Sequence, residues 1–127
     1  MNSPLEHIRL NKKGRDQLIK LRRTTKIGQW NILCRWAFCV SLRDKSFPPV
    51  VDGDNSVNVE ISWKVFSGEY SDVFTSLIRD WIKRSGAISK DEGELVRQHI
   101  QRGLSILDSN NIDNVCCLFR LINESTS

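Results

Sequence analysis

The sequence predicts a mostly α-helical, oligomeric domain with a short N-terminal strand and one further strand. Three observations predict it. Helical apolar spacing recurs over most of the chain. Strict alternation is confined to two short stretches, at 6–10 and 57–65. One helix, from Ile27 to Leu42, is apolar almost all the way round. A chain of 127 residues, 39% hydrophobic and 27% charged, suits one domain with a core and excludes wholesale disorder. No apolar run approaches the ~20 residues of a membrane span. The N-terminus, Met-Asn-Ser-Pro-Leu-Glu-His, lacks the pattern of a secretory signal, so a soluble, cytoplasmic protein is expected, without a membrane role.

Glu6-His7-Ile8-Arg9-Leu10 alternates and reads as a strand, with His7 and Arg9 on the outward face. Asn11 offers an N-cap to a helix over about 12–24. Leu18, Ile19 and Leu21 form its narrow apolar stripe. Lys13, Gln17 and Lys20 align at one flank, and Arg15, Arg22 and Lys26 at another. The second helix carries Ile27, Trp30, Ile32, Leu33, Cys34, Trp36, Ala37, Phe38, Cys39, Val40 and Leu42. A helix apolar on all sides is buried, and a chain this short can hardly surround it alone, so a homo-oligomer is expected. Arg35, among those residues, needs an acid or carbonyl partner.

Phe47-Pro48-Pro49 and Asp52-Gly53-Asp54-Asn55 break regular structure. Val57, Val59, Ile61, Trp63 and Val65 alternate with polar residues and predict a strand. A helix over about 70–84 follows, with Val73, Phe74, Leu77, Ile78, Trp81 and Ile82 on its apolar face and Gly86 at its end. Ser89-Lys90-Asp91-Glu92 matches a capping box. The next helix carries Leu95, Val96, His99, Ile100, Gly103, Leu104 and Leu107. Residues 112–122 predict a last apolar helix, and 123–127 a frayed tail. The organisation expected is thus one domain over 1–127: a basic strand–helix–helix part at 1–45, a strand within 56–66 and a helical part at 68–122.

Charge is unevenly spread. Residues 1–45 hold 11 basic and three acidic side chains and carry +8; the remainder carries −4. Such a basic end suits a polyanion: DNA, RNA, an acidic protein or an anionic surface. The residues expected to contact phosphate are Lys12, Lys13, Lys20, Arg22, Arg23 and Lys26. Arg9 and Arg15 are secondary candidates, since they can pair with Glu6 or Asp16 instead. A strand, a basic helix and a buried helix within about 40 residues also match the start of ribbon–helix–helix DNA-binding proteins.

No catalytic set emerges. The glycines are scattered rather than gathered in a phosphate loop, and Asp91, Glu92 and Glu94 suit a helix first turn. The four cysteines, Cys34, Cys39, Cys116 and Cys117, lack Cys-x-x-Cys spacing and sit in apolar stretches. They are expected to be buried, reduced thiols, with no metal and no cofactor.

Gln17-Leu18-Ile19-Lys20-Leu21-Arg22-Arg23-Thr24-Thr25 leads into Trp30-Asn31-Ile32-Leu33-Cys34-Arg35-Trp36-Ala37-Phe38-Cys39-Val40-Ser41-Leu42. This run resembles the DndE family of the bacterial DNA phosphorothioation system, and so does Val59-Glu60-Ile61-Ser62-Trp63-Lys64-Val65-Phe66-Ser67-Gly68-Glu69-Tyr70-Ser71. The resemblance implies a small α-rich homotetramer that binds duplex DNA, nicked duplex above all, through surface lysines. It implies a non-catalytic role beside a cysteine desulfurase, an iron–sulfur protein and an ATPase. Their joint modification replaces a non-bridging phosphate oxygen of DNA with sulfur. A scaffold whose basic face meets acidic partner proteins is the alternative. One departure stands out. The family's helix–helix turn often reads Thr-Gly-Ile, whereas this chain has Thr25-Lys26-Ile27, and a left-handed residue there would strain Lys26.

Overall fold

A computed structural model describes residues 3–49, 59–86 and 91–109. The elements are β1 (His7–Leu10), α1 (Lys12–Thr25), α2 (Trp30–Leu42), β2 (Val59–Ser62), α3 (Trp63–Ser67), α4 (Ser71–Ser85) and α5 (Glu92–Ser109), with a 3-10 turn at Gly68–Tyr70 before α4. The described protein is mostly helical, with a two-stranded antiparallel sheet. The expected helix at 112–122, the tail, the turn at 52–55 and the first residues of the second strand lie outside the described residues.

β1 pairs with β2 in the register Ile8↔Ile61 and Arg9↔Glu60. The Trp63 N–H donates to the Glu6 carbonyl at 2.8 Å. Main-chain groups alternate along a strand, so Glu6, Ile8 and Leu10 turn theirs toward β2 and His7 and Arg9 turn theirs away. On that outer edge the Arg97 guanidinium donates to the Arg9 carbonyl at 2.8 Å. The strand of the ribbon–helix–helix-like start is therefore paired within its own chain.

The second strand is shorter than its alternation predicts. Ser62 accepts from the Val65 N–H at 3.1 Å and caps α3. Trp63 and Phe66, three apart, then share the inward helical face, while Val65 is exposed. The strand pattern 57–65 thus ends at Ser62, because a cap and a helical pair override it.

α2 and α5 form the centre. Leu33, Cys34, Ala37 and Phe38 of α2 are fully buried, as are Val96, Ile100, Leu104 and Leu107 of α5. Phe38 meets Phe66, Phe74 and His99 edge-on or tilted, with centroids 5.8, 5.9 and 6.2 Å away. The rest of α2 departs from expectation. Its first residue is Trp30 rather than Ile27. Ile32, Arg35 and Trp36 are half-buried and Cys39 is exposed. One chain therefore covers most of this helix, and the expected burial of Cys39 is corrected. Arg35 finds the carbonyl partners it requires, donating to Phe66 and, at 3.4 Å, to Val65 at the end of α3.

α4 buries Phe74, Ile78 and Trp81 but leaves Val73 and Leu77 exposed. At α5 the cap is Asp91, whose carboxylate accepts from the Gly93 N–H at 2.9 Å. Ser89 of the expected capping box lies outside the described residues. All seven core positions expected on α5 are buried.

Candidate nucleic-acid interface

α1 builds the basic face. The Asn11 side chain accepts from the Gly14 N–H at 3.1 Å and starts the helix. Gly14, Gln17, Leu18, Leu21 and Thr25 turn inward. Gln17 is thus no part of the outer flank that its spacing from Lys13 and Lys20 suggests. It donates to Ser105 at 3.2 Å and accepts from Gln101 at 2.7 Å, tying α1 to α5. The opposite half of α1 exposes Lys12, Lys13, Arg15, Lys20, Arg22 and Arg23, interrupted by Asp16 and by the half-exposed Ile19.

Lys26 follows directly and is also exposed. It adopts φ 64° and ψ 15°, and its N–H donates to the Arg22 carbonyl at 3.0 Å, closing the helix. The left-handed turn that a glycine would favour is therefore kept with lysine in place. Thr25 holds it: its hydroxyl donates to the Leu21 carbonyl at 2.6 Å and accepts from the Ile27 N–H at 3.2 Å.

Two of the eight candidate cations are engaged. Lys20 Nζ lies 2.7 Å from a carboxylate oxygen of Asp108. Arg9 lies 3.4 Å from Glu60, which also faces His7 Nδ1 at 3.4 Å. Arg9's acid is therefore the cross-strand Glu60, not Glu6 or Asp16. Arg9 also lines a cleft of about 320 Å³ with Arg97, Asp91 and Glu94, where Glu94 pairs with Arg97 at 3.6 Å. Lys12, Lys13, Arg15, Arg22, Arg23 and Lys26 have no ion pair among the described residues. Lys12 and Lys13 stand in the first turn of α1, which holds no acid. The helix dipole disfavours cations there, so helix stability does not account for them.

One pair has the look of a nucleophile and its base. Ser41 Oγ lies 2.8 Å from His99 Nδ1. Both residues are wholly buried. Arg102 also donates to Ser41 Oγ at 2.8 Å, and His99 Nε2, on the other side of the ring, is buried without a hydrogen-bond partner among the described residues. Burial, then the nearby Arg102 charge, lowers the His99 pKa to about 4. The pair is a core hydrogen bond closed to substrate. Burial pushes the Cys34 thiol up to about 12; the Cys39 thiol, though the residue is exposed, is also raised by partial desolvation against neighbouring groups, with Arg43 opposing. Cys34 and Cys39 are free thiols, and Cys116 and Cys117 lie outside the described residues. Among the described residues no three His, Cys, Asp or Glu are placed to hold a metal ion, and no helix is long and apolar enough to cross a membrane.

These features define a small, mostly helical domain with a cationic helix on its surface. The profile described as DndE, DNA sulphur modification protein DndE, matches residues 7–114, and the chain belongs to that family. The match takes in β1 through α5 and every candidate cation. No curated protein and no solved structure matches the chain.

Proposed function

We propose that this protein is a non-catalytic DNA-binding subunit of the phosphorothioation machinery, acting in the cytoplasm and gripping duplex phosphates through α1. One observation carries this reading: six cations, from Lys12 to Lys26, stand exposed along one helix and its turn without ion pairs among the described residues. Their charge is left for an external anion, and two of them oppose the helix dipole. Phosphate contact is sequence-independent, so the face suits any duplex. A nick lowers the elastic cost of bending, which lets more of the face engage and favours nicked duplex.

Assembly into a homo-oligomer, with a tetramer as the expected form, would repeat this face. The outer side of α2 supports that reading through a shallow apolar cavity of about 300 Å³ lined by Ile32, Arg35, Trp36 and Cys39. Val65, Val73 and Leu77 add exposed apolar surface. Sedimentation at micromolar concentration tests it, and a monomer would refute it.

The DNA reading is tested by salt titration of binding to intact and nicked duplexes of one sequence. The variant Lys12/Lys13/Arg22/Arg23→Ala should weaken both and flatten the log–log slope by up to about 3.6, at roughly 0.9 per lost phosphate contact. Unchanged affinity and slope would reject this face. Retained binding to an acidic protein would then favour the scaffold alternative.

A further inference from the structure

We propose that Asp108 is a competitor built against the DNA-binding face: it holds Lys20 in an ion pair that a nucleic-acid phosphate must displace. The inference rests on the reading of α1 as the DNA face and adds what limits its grip.

The geometry comes first. Lys20 projects from the same exposed half of α1 as Lys12 and Arg23, yet among the described residues it alone of the α1 cations meets a carboxylate, at 2.7 Å. That carboxylate arrives from the far end of another helix. α5 packs along α1 through the Gln17–Gln101 and Gln17–Ser105 hydrogen bonds, which fix the two helices side by side. The last turn of α5 then lies beside Lys20.

Asp108 is also misplaced for its own helix. It occupies the last turn of α5, which contains no basic residue. An acid there opposes the helix dipole. Helix stability therefore does not account for Asp108, whereas its hold on Lys20 does.

The exchange follows from the chemistry of the pair. Lys20 and Asp108 are both partly exposed, at 45% and 33% of their side chains. The Asp108 oxygen that faces Lys20 is itself covered and makes no aligned hydrogen bond, so this pair is weak and swaps partners readily. A phosphodiester carries one negative charge, as the carboxylate does, so Lys20 gains little by the swap. The freed Asp108 charge is then left close to the incoming phosphate and repels it, within the range that salt does not screen. Asp108 thus subtracts Lys20 from the face and adds a like charge at its border. Duplex binding remains weaker, and less steeply salt-dependent, than the count of cations implies.

Salt titration with a plain duplex tests this on the full chain. Asp108→Asn should tighten binding roughly threefold or more at 50 mM salt and steepen the slope by about 0.9, as expected for one added phosphate contact. Asp108→Ser should do the same, which guards against a fold defect peculiar to one variant. Lys20→Ala bares Asp108, so it should weaken wild-type binding modestly without changing its salt slope, and it should abolish the gain in the Asp108→Asn background. Asp72→Asn on α4, which changes net charge equally at an exposed site away from α1, should give no such gain. Wild-type affinity and slope in both Asp108 variants would overturn the proposal. So would an equal gain from Asp72→Asn, or a fall in salt slope from Lys20→Ala in the wild type as large as that from Lys12→Ala. The Lys12/Lys13/Arg22/Arg23→Ala variant separates the two ideas. If it loses binding while the Asp108 variants match wild type, the DNA face stands and the competitor fails. If it binds as wild type does, the face itself is refuted.

Discussion

Gly103 of α5 lies directly against Ala37 of α2: a Cβ on Gly103 would stand 1.8 Å from the Ala37 carbonyl oxygen and 2.6 Å from its Cα. The two central helices therefore touch backbone to backbone at their crossing. Neither can yield without moving the Phe38, His99 and Leu104 contacts on either side of it.

Gly103→Ala should accordingly be among the most damaging single substitutions in the chain. The added methyl has no space, so α2 and α5 must separate, at a cost of about 3 kcal/mol or more. Gly28→Ala meets nothing within 4 Å. It should stay within about 0.5 kcal/mol of wild type. Urea unfolding of both variants checks the contrast, and equal midpoints would contradict the close crossing.

Much of this fold is legible in the sequence where one periodicity acts alone. Leu95, Val96, His99, Ile100, Gly103, Leu104 and Leu107 repeat at helical spacing, and all are buried. Legibility fails where two local signals compete. At Trp63 the strand alternation continues on paper, but the Ser62 cap and the Trp63–Phe66 pair turn the chain into a helix. It fails again where apolar residues outnumber the partners available, so that Val73, Leu77 and Cys39 remain outside the core. The cations of the candidate face are legible as a charge cluster. Their neutralisation by Glu60 and Asp108 is not, because those acids come from elements distant in sequence that only the tertiary fold brings near.

Arg35 should matter through α3. Its guanidinium satisfies the Val65 and Phe66 carbonyls at the end of a five-residue helix too short to hold itself. Arg35→Ala should cost about 1–3 kcal/mol, the range for losing hydrogen bonds from a charged donor. Arg84→Ala removes only an exposed pair with Asp80. It should cost under about 1 kcal/mol. Thermal melts of the two variants side by side provide the measurement, and similar losses would argue against Arg35 as the clamp on α3.

Stability should fall on mild acidification because of His99. Its pKa is lowered to about 4 in the fold, against about 6.5 when unfolded. The folded state therefore excludes a proton that the unfolded chain accepts. The stabilisation is fully present above about pH 6.5 and declines as pH falls from there toward 4, by a few kcal/mol in all. Arg102 reinforces the exclusion and Asp44 opposes it. The Asp44 carboxyl itself is held below its ordinary value by hydrogen bonds from Ser46, so its contribution is lost only at lower pH. His99→Gln should be less stable at pH 7 yet nearly flat between pH 6.5 and 4.5. A wild-type denaturation midpoint that does not move across that interval would contradict the buried neutral ring.

Lys26 sits at a position where stability and charge pull in opposite directions. Its φ of 64° places a side chain in the left-handed region, which disfavours any residue but glycine by about 1 kcal/mol. Lys26→Gly should therefore raise stability by up to about 1 kcal/mol, since the turn and its hydrogen bond to Arg22 are retained. Lys26→Ala should not, because alanine keeps the strained φ without the amine. Both substitutions remove one exposed cation from the end of the basic face. If that amine contacts phosphate, each should flatten the salt dependence of duplex binding by the same amount, about 0.9 on the log–log slope. The two readouts are independent: chemical denaturation reports the backbone, and the salt slope reports the charge. A Lys26→Gly variant that is more stable and binds with a shallower slope would show a turn that tolerates strain to keep a cation at the DNA surface. A more stable variant with an unchanged slope would remove Lys26 from the contact surface, and the interface would then end at Arg23.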